Sequence, residues 1–140
     1  MYIPKQRLKV EIPEYIDPKD YKRIGRDIIT YIQQRAIDGT GFNPDTGRTK
    51  RFPGYTKKYA EKKGQTNVDL ILDGDMFNAM DVTKINSDSI EIGFTDSKEN
   101  AKTHGNQTGS YGKPSPDPSK ARYFLGLTKK ELDDILEDYK

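Results

Sequence analysis

The sequence predicts an α+β domain in which a long first helix and a last helix pack on a small, mainly antiparallel sheet, with long loops between. Three observations carry this. Asp17-Pro18 opens a stretch with apolar residues at helical spacing that runs to Gly39. In residues 82–94 a short strand from Val82 to Ile85 is followed by an Asn-Ser-Asp-Ser turn and by Ile90, Ile92 and Phe94 alternating with Glu91 and Gly93, the signature of a hairpin. Thr128 and Glu131 stand at capping-box spacing ahead of an apolar helical face, which fixes a helix start.

Residues 1–16 read as an arm with a short strand. Leu8, Val10 and Ile12 alternate with Lys9 and Glu11, and Pro4 and Pro13 bracket them. Such a strand belongs at a sheet edge. Residues 17–140 read as one domain. Asp17 suits an N-cap and Pro18 the first helical position. Tyr21, Ile24, Ile28, Tyr31, Ile32 and Ala36 form the apolar stripe. Lys22, Arg23, Arg26, Gln33 and Arg35 fall on the opposite face, which reads as solvated or as a subunit or partner contact. A helix over 17–38 would be about 33 Å long.

Periodicity is lost from Gly39 to Thr56, where Gly, Pro, Asn and Asp recur, so a long loop is expected. From Arg48 to Lys63 seven basic residues face one acidic residue, the one strong charge asymmetry in the chain. Thr56 to Lys63 reads as a short basic helix stopped by Gly64. Val68 to Leu72 is an apolar run leading into a short helix with Met76, Phe77 and Met80 on one face. Residues 95–120 read as irregular, with a helical turn at Asn100–Gly105. Leu127 and Leu132 stand at staple spacing around Thr128. Leu132, Ile135, Leu136 and Tyr139 make the last apolar face.

Composition narrows the function classes. Hydrophobic residues, glycine left out, are 32% and charged residues 33% of 140, low even against the about 45–50% apolar, glycine included, of ordinary globular domains. The core is therefore small, and neighbouring subunits are expected to complete its burial. There is no Cys, which excludes disulfide and thiolate chemistry. Neither a signal peptide nor a membrane span is expected, for want of a long apolar run. His104 is the one histidine, and a structural hydrogen bond at a loop start is its expected role. Asp69, Asp73 and Asp75 lack the spacing of a calcium loop, and helix capping accounts for at least one of them. No catalytic residue, metal site or cofactor is assigned. The basic segment supports contact with phosphates or an acidic protein surface.

The segment Ala121-Arg122-Tyr123-Phe124-Leu125-Gly126-Leu127, followed by a capped helix, resembles the C-terminal signature of the tailed-phage virion-morphogenesis proteins, the tail-completion or neck family. Three further segments follow the family's order. Phe52-Pro53-Gly54-Tyr55-Thr56 runs into a Lys-rich stretch; Phe52 stands where the family tends to have Trp. Leu70-Ile71-Leu72-Asp73-Gly74-Asp75-Met76-Phe77 is similar to its entry to a short helix. Asn100-Ala101-Lys102-Thr103-His104-Gly105 is similar to its Tyr-Ala-x-x-His-x-x-Gly turn, with Asn100 in the aromatic position.

The resemblance implies a structural virion protein and not an enzyme. It implies a six- or twelve-fold homo-oligomeric ring in the neck, assembled in the host cytoplasm, between connector or portal and tail terminator or tail tube. DNA would pass through its lumen. Expected contact residues are Arg48, Lys50, Arg51, Phe52, Lys57 and Lys58. Arg122, Phe124, Leu125 and Leu127 form a C-terminal clamp. The rival reading is a nucleic-acid-binding module built on the same basic segment.

Overall fold

The computed structural model describes residues 3–52, 74–109 and 121–140. The expected basic helix at 57–63, with Lys57 and Lys58, lies outside them, as do the 68–72 run, Asp69 and Asp73. The architecture is α+β. Strand β1 (Leu8–Glu11) is followed by a 3-10 turn (Pro18–Asp20) and helix α1 (Tyr21–Ile37). Strands β2 (Thr40–Asn43) and β3 (Arg48–Arg51) come next. Helix α2 (Gly74–Asn78) precedes strands β4 (Met80–Ile85) and β5 (Ser89–Phe94). Helix α3 (Ser97–Thr108), helix α4 (Lys129–Leu136) and a 3-10 turn (Glu137–Tyr139) complete the order.

The main sheet is antiparallel in the order β1-β5-β4. Leu8 pairs with Ile92 and Val10 with Ile90, and across β5 Val82 pairs with Ile92. Period-two alternation therefore puts these side chains on one face. Helix α1 covers that face with Tyr21, Ile24, Ile28, Ile32 and Ala36, all buried. Ile24, Ile28, Ile32, Ile90 and Ile92 are fully buried. Each contributes roughly 1.5–3 kcal/mol by area transfer, an upper bound because unfolded chains already hide some surface. Met76 and Phe77 of α2, Met80, and Leu136 of α4 close the core.

Four local expectations are corrected. Asp17 caps the 3-10 turn, accepting from the Lys19 amide, and α1 starts four residues later. The segment 39–56 is not an open loop: through Arg51 it is a hairpin, with Thr40 opposite Arg51 and Phe42 opposite Thr49. Asn43 sets its turn by accepting the Asp45 amide on Oδ1 at 2.9 Å. Gly47, at φ 70°, supplies the left-handed residue that closes the four-residue loop between Asn43 and Arg48. Residues 97–108 form a full helix rather than one turn. Asp96 accepts the Lys98 and Glu99 amides, a cap strong enough to start a helix of low propensity. Thr103 and Thr108 turn their hydroxyls back onto carbonyls four residues earlier. The last helix ends at Leu136 and tightens into a 3-10 turn, so Tyr139 lies beyond it.

Helix α1 also departs from its expected faces. Tyr31, placed on the apolar stripe, is 38% exposed. Arg35, placed on the solvated face, is 7% exposed. The reason is geometric: Ile28, Ile32 and Arg35 are spaced four and three residues apart, so Arg35 continues the buried ridge.

Candidate partner-contact site

The clamp at 121–127 is the hub of the candidate site. Phe124 is fully buried and Leu125 nearly so. The Phe124 ring meets Phe77 edge-on at 6.1 Å, a favoured aromatic geometry. The clamp backbone is satisfied from three directions. Arg122 donates its amide to the Asn106 carbonyl at 2.6 Å. Leu125 donates its amide to Gln107 Oε1 at 3.0 Å. Tyr123 accepts the Phe42 amide on its carbonyl at 2.8 Å, which docks β2 against the clamp. That docking needs Gly41: a Cβ there would sit 2.1 Å from the Tyr123 carbonyl oxygen.

Arg35 holds the clamp from below. Its Nη2 donates to the carbonyls of Phe124 at 2.9 Å and Gly126 at 2.8 Å. Its Nη1 meets Glu131 Oε1 at 2.8 Å. Glu131 also closes the capping box: Thr128 Oγ1 accepts the Glu131 amide and Glu131 Oε1 accepts the Thr128 amide. Burial pushes the Glu131 carboxyl up, but the Thr128 amide, the Tyr31 hydroxyl and the Arg35 guanidinium outweigh it and hold the group below its ordinary value. The Tyr31 phenol is pushed up in turn, by burial and by its bond to Glu131. The expected capping box is present, and Leu127 and Leu132, at staple spacing around it, both pack half-buried on the core.

The Gln107 contact extends into an amide relay. Gln107 Nε2 donates to Gln6 Oε1 at 2.9 Å, and Gln6 Nε2 lies 3.2 Å from His104 Nδ1. The Leu125 amide can only donate, which fixes the direction of every later bond. His104 Nδ1 is therefore an acceptor, and the ring proton sits on Nε2. His104 thus makes the structural bond expected of it, but inside a helix and not at a loop start.

From this base the β2–β3 hairpin projects. Arg48, Thr49, Lys50 and Arg51 are all exposed. No ion pair holds any of the three cations among the described residues. Phe52 is half-buried, with its amide donated to the Gly39 carbonyl at 2.9 Å. A cavity of about 190 Å³ lies between hairpin and clamp, lined by Phe42, Lys50, Arg51, Phe52, Gln107 and Tyr123 among others. Burial there raises the Tyr123 phenol.

Of the expected contact residues, Lys50, Arg51 and Phe52 share a cavity wall with Ala121 and Tyr123 of the clamp segment; Arg48 stands at the turn end of β3, opposite Asn43, and Phe124, Leu125 and Leu127 pack on the core. Among the described residues no group of three or more His, Asp or Glu side chains is placed to hold a metal ion. No described helix is long and apolar enough to cross a membrane. Reading the sequence missed Arg35, Gln107 and Gln6. Arg35 had a usable signal, its place on the apolar ridge; the two glutamines had none. Comparison with family models, characterised proteins and solved structures gives no match for this chain.

Proposed function

We propose that this chain is a structural assembly subunit, a ring-forming neck or tail-completion protein that joins a phage head to its tail. The observation that carries the assembly part is the hairpin: a cationic strand with all four side chains exposed, joined to the clamp by the hydrogen bond from the Phe42 amide to the Tyr123 carbonyl. Exposed charge without an ion-pair partner among the described residues, on a strand docked to the core, suits recognition of an oppositely charged surface. The phage part rests on the resemblance of the clamp and of the three segments that precede it. Arg48, Lys50, Arg51 and Phe52 are the contact residues, and the clamp is their support.

Reconstitution tests this reading. The purified chain, mixed with connector and tail-tube proteins, is expected to form rings seated on the connector in negative-stain images. Persistence as a monomer at high concentration, with no ring beside either protein, would overturn it. The same exposed cations also fit nucleic acid. Tight DNA binding by the isolated chain with a steep salt dependence, and no ring, would favour that rival.

A further inference from the structure

We infer that the free edge of β3 receives an extended acidic segment of a partner protein, which adds to the hairpin as a third strand. The inference rests on the assembly reading and names the chemistry of the contact. Among the described residues β3 has a neighbouring strand on one side, β2. Phe42 sends its amide away from β3, to the Tyr123 carbonyl. The Phe42–Thr49 pair is therefore of the non-hydrogen-bonded kind, and hydrogen-bonded and open pairs alternate along an antiparallel ladder. The Phe52 amide bonded to the Gly39 carbonyl fits the same alternation. It follows that Thr49 and Arg51 turn their N–H and C=O groups outward, to the free edge. An edge of this kind is a template for strand addition.

Charge decides what can use it. Cations along an edge strand repel other edges and so guard against indiscriminate pairing. They leave one class of strand favoured, an acidic one. Their placement also separates an edge-on partner from a face-on one. Successive side chains point to opposite faces, so Arg48 and Lys50 lie on one face and Arg51 lies on the other with Thr49. A polyanion lying on either face meets at most two of them. A strand added at the edge carries its own side chains to both faces and reaches all three. Neighbouring carboxylates on such a strand, one per face, match this pattern over the roughly 10 Å that four strand residues span. Nucleic acid, whose charge follows one backbone, matches it less well.

The test uses the full chain, isotopically labelled, and a blocked seven-residue probe peptide, Thr-Glu-Glu-Val-Glu-Glu-Thr. The expected result is amide shifts centred on Arg48–Arg51, with the Thr49 and Arg51 amides slowed in hydrogen exchange. Thr49→Pro removes one outward N–H and leaves the β2 side of the ladder intact; it should weaken the peptide by roughly tenfold or more. Arg48→Glu with Lys50→Glu should abolish binding. Binding that survives Thr49→Pro but not the charge reversal would mean a face-on contact and overturn the inference. So would preferential binding of a single-stranded oligonucleotide of equal charge, or no peptide binding at all. Rings that still form on the connector with the Thr49→Pro chain would sink the strand-addition inference alone and leave the assembly reading standing.

Discussion

Arg35 meets two clamp carbonyls and the Glu131 carboxylate at 2.8–2.9 Å in an almost dry site. Removing one member of a buried pair leaves an uncompensated charge, which costs about 3–5 kcal/mol. Arg35→Met should show that loss in urea unfolding. Adding Glu131→Leu should recover only part of it: the lone carboxylate is removed, but the Phe124 and Gly126 carbonyls lose their donor and the capping box is opened. The pH dependence follows from Glu131. Its folded pKa lies below the ordinary 4.5, so its contribution is present above that value and lost as pH falls through the folded value. Glu131→Gln should flatten the acid limb of the stability profile below about pH 4.5. Phe124→Ala should cost about 3–5 kcal/mol as a core anchor. Unchanged stability with failed assembly would instead make Phe124 an interface residue.

At the alkaline end a second residue reports on the close of the chain. Burial and the Asp27 carboxylate push the Tyr139 phenol up to about 12, and its hydroxyl donates to Asp27. A raised folded pKa gives stability that is full below the ordinary 10.0 and is lost as pH rises through about 12. Tyr139→Phe should remove that alkaline dependence in pH-dependent melts.

Among the elements, local caps decide more than propensity. Thr128→Ala opens the capping box and should cost about 0.5–2 kcal/mol, read as lower stability and a frayed α4 in hydrogen exchange. This element was legible from spacing alone, because cap and staple are local devices. The β4–β5 hairpin and β1 were legible for the same reason: alternation and turn residues lie within a few positions of each other. Helix α3 was not. Its one sequence signal is Asp96 with Glu99 three residues on, and its composition reads as a loop. Its tertiary support includes Gln107, which bonds to the arm through Gln6 and to the clamp through the Leu125 amide, and the fully buried Thr103. The β2–β3 hairpin was hidden because its exposed strand has no apolar face to alternate. Its register comes from the Asn43–Gly47 turn and from docking on Tyr123.

For the whole molecule, the clamp joins pieces far apart in the chain: the arm through Gln6 and Gln107, α1 through Arg35, the hairpin through Phe42, and α4 through Glu131. The candidate contact strand is thereby coupled to the core without itself being buried. Its cations were visible in the sequence as a charge run; that they sit on a strand with one neighbour among the described residues was not, since that depends on how the hairpin docks through the Phe42 amide. The apolar deficit of the composition fits a subunit whose surface is completed by neighbours.

Native mass spectrometry of the full chain across concentration, with and without connector, tests the central claim most directly. Closed rings of one copy number, six or twelve, are expected, and they are lost when Arg48, Lys50 and Arg51 are all changed to Glu while the fold persists. A chain that stays monomeric at every concentration with connector present, or rings indifferent to those three substitutions, would contradict it.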